Sequence, residues 1–476
     1  MPKIILIEPK APDLHIYSQF KLPRLGPVIL GTLMKKLGWE VQVVFEELQK
    51  MDFEAAYAAD LVGISTITST APRAYAMADK IKQEGVPVIM GGPHVTFLPE
   101  EALQHADFVI RGEGENALMA FIDAWEGDRD FSQVPGLSYQ IGDKSIHNRR
   151  EPGLCNLDDL PYPDYSLLPQ EKRSHHFHKT IPVQTSRGCP FQCTFCSVTA
   201  LFGRKYRFRS TQNIIDELRL YNSRLNHIFF YDDNFAANRT RLKDLLSTMV
   251  QEGFKFTWSA QARIDIAQDL DLLRLMKQSG CQIVYIGLES VNPSSLEAMK
   301  KKQSLNDMAT ALKIMRRHGI RVHGMFVYGF DEDDWPTIQK TVRFAKKFRL
   351  SSTQFLILTP LPGSEFYRRI TSENRILFKD WALYDAHHVV FRPARLSLRA
   401  LQRAQIFSHN KFYSRLHDTK RALRLQWLEL GISHYARHLN KMWKKKNRAF
   451  LKVINLLTAH RNNCILIDFR QEAEKD

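Results

Sequence analysis

Acidic side chains and cysteines are what this chain is short of. Its 476 residues carry 67 Lys and Arg against 51 Asp and Glu, a formal charge of +16, which excludes an acidic, self-solvating chain. Only six cysteines occur, none before Cys155, and Cys155, Cys281 and Cys464 stand alone, so the spacing contains no disulfide framework. A reducing, cytoplasmic setting is expected. No stretch of about 18 apolar residues appears, and Met1-Pro-Lys passes directly into the strand-like Ile4-Ile5-Leu6-Ile7, so neither secretion nor a membrane span is expected. G-x-G-x-x-G is also missing, which disfavours a dinucleotide. The 44% of hydrophobic residues supply core for about three domains at this length.

The other three cysteines crowd into one loop, Cys189-Pro-Phe-Gln-Cys193-Thr-Phe-Cys196, entered from the apolar Ile181-Pro-Val183 and from Ser186-Arg187-Gly188. Thiolates are soft ligands for zinc or iron–sulfur clusters, and three of them can hold three corners of a 4Fe-4S cube, leaving the fourth iron open. A structural zinc site normally takes four protein ligands, and no second Cys or Cys/His pair stands at a suitable spacing. Cysteines without a shared task are usually scattered.

Residues 1–126 alternate strands with helices. Strands are predicted at Lys3 to Glu8, Val41 to Phe45, Leu61 to Ser65 and Val86 to Met90, and helices near Pro27 to Leu37 and Pro72 to Gln83. Continuous apolar strands between helices mean a parallel sheet covered on both faces, a doubly wound, Rossmann-like domain. Its ligand is expected beyond the carboxyl ends of the strands, at Gly26, at Ser65-Thr66 and at Gly91-Gly92-Pro93-His94, where small residues let a bulky group approach the backbone. Residues 127–180 lose periodicity and read as a linker with some short strands. The tract Ser174-His-His-Phe-His178 within it reads as solvated polar residues rather than a metal site. From residue 181 to about 365, six strand-then-helix units predict a partial (β/α)6 TIM-like barrel, whose chemistry belongs at the strands' carboxyl ends. The second unit ends in Asp232-Asp233, suited to an ammonium group. The third ends at Arg263, a fork for a carboxylate, and the fourth at Glu289, able to take two ribose hydroxyls. Residues 366–476 read as a helical C-terminal region, with helices from Leu398 to Leu428 and Tyr435 to Leu457. Between Lys411 and Arg470 there are fourteen Lys and Arg and three acids, a bias that calls for an anionic partner.

Cys-x3-Cys-x2-Cys with Phe195 before its last Cys resembles the signature of the radical S-adenosylmethionine enzymes. The first domain, through Gly91-Gly-Pro-His94 and Arg111-Gly-Glu-Gly-Glu115, resembles the cobalamin-binding domain that precedes the radical core in one branch of that family. The resemblance implies Cys189, Cys193 and Cys196 as cluster ligands, with S-adenosylmethionine on the open iron and cleaved by one electron to a 5′-deoxyadenosyl radical. It implies Asp233 on the cofactor's ammonium, with Asp232 in reserve, and Phe195, Arg263 and Glu289 beside the same cofactor. Cobalamin is implied at Gly26, Ser65, Thr66, Gly91, Gly92, Pro93 and His94. The tract Asp13-Leu-His15-Ile-Tyr-Ser18 nearly matches a cobalt-ligating Asp-x-His-x-x-Gly, but Ser18 replaces the Gly, so the lower axial position is expected to be empty or filled by something other than His.

The function implied is cobalamin-dependent radical methylation of an unactivated carbon in a small-molecule substrate, one of lipid-like type suiting the basic tail, with an external electron donor. The basic helix carrying Trp443, Phe450, Val453 and Leu456 beside Lys441, Lys444, Lys445 and Lys446 would make peripheral membrane contact. A radical cyclase or oxidative ring-former with the same domain order is the alternative enzyme. An iron–sulfur nucleic-acid-binding protein is the non-enzymatic one, with nucleic acid less favoured. RNA methylthiolating enzymes carry three further cluster cysteines in their first domain, and this chain has none there.

Overall fold

The computed structural model describes residues 1–11, 22–151, 153, 156–168 and 180–459. Asp13, His15, Ser18, Cys155, Ser174 to His178 and Cys464 lie outside the described residues. Two compact units result, one from residues 22–190 and 197–231 with the N-terminal strand, the other from residues 191–196 and 232–459.

In the first unit, β1 (Lys3–Glu8), β2 (Glu40–Phe45), β3 (Leu61–Ser65), β4 (Val88–Gly91) and β5 (Phe108–Ile110) run parallel, and β6 (Leu137–Ile141) and β7 (Lys144–His147) extend them antiparallel, in the order β2-β1-β3-β4-β5-β6-β7. The chain reverses its winding between β1 and β3, so the crevice for a ligand opens beyond the carboxyl ends of those strands. Burial explains the sheet. Ile4, Ile7, Leu61, Val62, Val88 and Val109 are sealed, and Leu6, Phe45 and Ile89 pack with Val28, Met34 and Phe121 from the covering helices Leu25–Lys36 and Glu115–Glu126. The hairpin β6–β7 falls within the segment read as a linker; β7 is mostly exposed, so little apolar signal marks it. The same unit carries β8 (Thr180–Val183), the two-residue β9 (Ser186–Arg187) and β10 (Arg207–Phe208), and β11 (His227–Phe230). β8 pairs parallel with β11, and β9 antiparallel with β10.

The second unit holds β12 (Thr257–Ala262), β13 (Cys281–Glu289), β14 (Arg321–Tyr328) and β15 (Ser352–Ile357), each parallel to the next. Helices Arg239–Gln251, Leu270–Gln278, Leu305–Arg317 and Trp335–Lys347 precede or join these strands and Glu365–Ser372 follows the last, all five started by an Asn, Asp or Ser side chain that accepts the backbone N–H three residues on. All six predicted strand positions, from β8 to β15, are strands. The C-terminal region is helical, in four pieces rather than two: Leu398–Phe412, Arg415–Ala422, Trp427–Lys446 and Arg448–Ala459. Ser414 caps the second by accepting from His417 N, and the left-handed Leu425 (φ 56°) lies in the turn before the third. No described helix is long and apolar enough to cross a membrane.

Candidate active site

The cysteine loop begins where β9 meets β10. Gly188 has φ 88°, and a Cβ there would collide with the Lys205 carbonyl oxygen, so only glycine lets the chain turn into Cys189. Just before it, Arg187 is bound by two carboxylates. Its Nη1 donates to Glu113 Oε2 at 2.8 Å and its Nη2 to Glu115 Oε1 at 2.5 Å. Arg207, opposite Arg187 in the β9–β10 ladder, donates through Nη1 to Glu113 Oε2 at 3.1 Å and through Nη2 to the Phe202 carbonyl at 3.1 Å. All four side chains are buried, two cations against two anions. Burial alone would raise the Glu115 carboxyl, yet the Arg187 guanidinium outweighs it and holds the group below its ordinary range. Glu113 and Glu115 belong to the Arg111–Glu115 segment, so the loop after β5 grips the root of the cysteine loop.

Cys189, Cys193 and Cys196 are all half-buried and outside any disulfide, whereas Cys281 is sealed and burial pushes its thiol far above the usual range. Cys196 N–H donates to the Cys193 carbonyl at 3.1 Å, closing a tight turn. Thr194 pins that turn: its N–H donates to the Met299 carbonyl at 3.3 Å, and its carbonyl accepts from Phe366 N–H at 2.8 Å. Phe195 meets the Phe330 ring edge-on at 6.1 Å. Among the described residues no three His, Cys, Asp or Glu side chains gather around one point. A cube is held through three different irons, so its thiolates need not converge.

At the carboxyl ends of the strands, Arg263 follows β12 with its guanidinium 3.8 Å from the Phe191 ring centre. Its Nε is buried with no hydrogen bond, the nearest carboxylate oxygen, on Asp265, being 3.9 Å away, so this donor suits an incoming acceptor. Glu289 ends β13 in the left-handed region at φ 61°, where the β13–β14 register slips. Such backbone persists only where its surroundings enforce it. Here Lys301 does so, with Nζ 2.7 Å from Glu289 Oε1 and both side chains buried, while a Cβ on Gly287 would strike the same carboxylate. Beside them, Gln303 Nε2 donates to the Leu288 carbonyl at 2.9 Å and its Oε1 is buried without a partner. Asp232 is buried and Asp233 has an accessible surface. Crowding by the surrounding protein, and then the Asp232 carboxylate, push the Asp233 carboxyl up to about 6. Lys301 and Gln303 were not foreseen from sequence, since nothing in their spacing marks them.

In the first unit, the loops after β3 and β4 meet by backbone. Thr66 N–H donates to the Gly91 carbonyl at 2.9 Å, and Gly92, at φ 103°, lies so near Thr66 that a Cβ would overlap its carbonyl oxygen. Gly26 and Gly91 have open space where a Cβ would be, and Pro93 starts the short helix Pro93–Phe97. Ser65 is half-buried and Thr66 fully buried. His94 is sealed, with Nε2 3.4 Å from Glu101 Oε1 and its ring 6.1 Å from that of Tyr75. Glu8, at the end of β1 on the same crevice, was missed in the sequence; burial raises its carboxyl to about 7 despite Arg24 beside it.

Residues 14–122 match the family described as B12 binding domain, and residues 183–345 the Radical SAM superfamily. An uncharacterised methyltransferase of Pyrococcus horikoshii is 34% identical over 407 residues, covering 83% of this chain and 88% of the relative. The chain belongs to the cobalamin-binding radical S-adenosylmethionine family. Bacteriochlorophyllide d C-12(1)-methyltransferase of Chlorobaculum tepidum is 28% identical over 401 residues, covering 83% of each chain. The structure of the cobalamin-dependent S-adenosylmethionine radical enzyme OxsB shares the fold, with a TM-score of 0.67 at 16% identity over 99% of this chain and 78% of that one. As a cobalamin-binding radical S-adenosylmethionine protein it is an enzyme, whose cofactors are a 4Fe-4S cluster, S-adenosylmethionine and cobalamin. The residues fit these groups: accessible soft thiols, a buried unbonded guanidinium N–H, and a crevice floored by backbone and glycine.

Proposed function

We propose that this enzyme is a C-methyltransferase that acts on an unactivated carbon of a small, lipid-like molecule, drawing electrons from an external donor and working in peripheral contact with a membrane. The observation that carries the methyl-transfer reading is the likeness, over more than four fifths of both chains, to two relatives that are methyltransferases by name. When bound, the cluster, S-adenosylmethionine and cobalamin supply one-electron chemistry and a methyl donor.

The chain's own residues then divide the remaining work. Cys189, Cys193 and Cys196 hold the cluster, and Phe195 packs beside the cofactor on it. Asp233 takes the cofactor's ammonium, Arg263 its carboxylate and Glu289 its ribose. Lys301 occupies Oε1 of Glu289, so the ribose hydroxyls fall to Oε2. Gly26, Ser65, Thr66, Gly91, Gly92 and Pro93 floor the cobalamin crevice by presenting backbone rather than bulk. His94, sealed against Glu101, would steady that loop beneath the group.

The test is anaerobic purification and reconstitution followed by ultraviolet-visible spectroscopy, then product mass once substrate candidates are screened. An iron–sulfur band and a corrinoid band in equal amounts, with a product heavier by one methylene, are expected. A product with no added carbon would replace this reading with ring formation, and absence of the corrinoid band would end it.

A further inference from the structure

Of the C-terminal apolar residues expected to meet a membrane, Leu456 is exposed and Val453 half-buried, but the two aromatics are not on the surface. Trp443 and Phe450 are buried and belong to the core of the helical region, with Ser433, Ala436 and Asn440 on the same side of the helix Trp427–Lys446. A different apolar surface is turned outward. The turn between the helices Arg415–Ala422 and Trp427–Lys446 presents Leu423 at 86% exposure, Leu425 at 72% and Trp427 at 67%, flanked by Leu416 at 74%. Leu425 is held at the tip in a left-handed conformation, its N–H donating to the Ala422 carbonyl at 2.9 Å. From there Leu428, Tyr435 and Met442 continue along the helix at intervals of seven residues, two turns each, so they form one outward stripe. Single exposed leucines need no explanation, but a contiguous set of this kind marks an interaction surface.

We infer that this turn and stripe dock the enzyme on an anionic lipid surface, with Leu423, Leu425 and Trp427 entering the headgroup boundary. The inference rests on the peripheral-membrane part of the reading above and names the surface responsible. Charge selects the occupant. Arg415, Lys420, Arg424, Lys441, Lys445 and Lys446 are exposed around the apolar residues. The segment's two acids offer nothing to a cationic partner: Asp418 is ion-paired with Arg437, and Glu429 is buried with Arg321 at 3.6 Å. A second copy of the same face would oppose cation to cation. A nucleic acid would satisfy the charge but leave the leucines wet, whereas a bilayer with anionic headgroups accepts both.

Flotation of the full-length holoenzyme with vesicles tests this. With phosphatidylglycerol in the vesicles the protein should float, and with phosphatidylcholine alone it should stay down. Raising salt should weaken binding, as should Lys441→Glu/Lys445→Glu. Leu423→Ser/Leu425→Ser, at positions so exposed that the fold does not need them, should lower vesicle affinity at least tenfold with circular dichroism unchanged. Trp427→Ser is the independent check. Full binding by both variants would overturn the docking surface while leaving the membrane reading intact. No binding by the unaltered protein would end both, while methyl transfer is judged separately by product mass. Substitution-sensitive self-association without vesicle binding would also overturn the inference.

Discussion

Substituting Glu113→Gln should uncouple the cysteine loop from the structure that positions it. Glu113 lies between Arg187 and Arg207, 2.8 Å from the one and 3.1 Å from the other, with buried side chains on every partner. Glutamine keeps the shape and an acceptor but removes the charge, leaving two guanidiniums against the single carboxylate of Glu115. Breaking a buried pair from one side costs about 3–5 kcal/mol, because the remaining charge is stranded in a poorly solvated site. The least costly response is for the β9–β10 ladder, which is only two residues long, to open and let water reach Arg207. Cys189 lies two residues from Arg187, so its position should loosen with the ladder. The variant should therefore bind markedly less iron after anaerobic reconstitution and lose about 3 kcal/mol in urea unfolding. The double variant Glu113→Gln/Arg207→Gln, which restores the charge balance, should lose less than the two single changes added together. Full iron content with unchanged unfolding in Glu113→Gln would refute the argument that these acids hold the cysteine loop.

Other expectations follow from the same geometry. Gly92→Ala, with φ 103° and no room beside Thr66, should lower the corrinoid content while leaving iron intact, which two absorbance bands would separate. Lys301→Ala strands the Glu289 carboxylate and should cost about 3–5 kcal/mol in unfolding along with a raised KM for S-adenosylmethionine; Lys301→Arg should recover most of it. Asp233 is ionised only above about 6, so affinity for S-adenosylmethionine should fall as pH drops through that value, measured by equilibrium binding, and Asp233→Asn should bind weakly at every pH with that dependence gone.

Much of this was legible in the sequence because apolar continuity and turn chemistry are local. β1, β3, β13 and β14 are runs of Ile, Val, Leu, Tyr and Phe bounded by turn residues, and helix starts such as Ser304 and Asp334 announce themselves by the side chain that caps them. The cysteine loop is likewise contiguous, and Arg263 and Glu289 stand at strand ends where a barrel places its chemistry. What stayed hidden depends on distance along the chain. Glu113 and Arg187 are 74 residues apart, and neither sequence segment says that the other neutralises it. Lys301 looks like one cation in a run of three, yet it is the one that pairs with the buried Glu289 carboxylate. Short strands were expected in the linker, but the hairpin β6–β7 could not be placed there because about half its residues face solvent. The helix Trp427–Lys446 misled for a related reason: its aromatic Trp443 packs inward, while the apolar residues left outside are Leu423 and Leu425 in the turn before it and Leu428, Tyr435 and Met442 along it.

The most direct measurement is iron and 5′-deoxyadenosine in the variant with Cys189, Cys193 and Cys196 all changed to Ala, reconstituted anaerobically and supplied with reductant and S-adenosylmethionine. Loss of the iron–sulfur band and of deoxyadenosine, with the corrinoid band retained, is the predicted result. Full iron loading and continued deoxyadenosine formation would contradict the assignment of these thiols and the mechanism built on them.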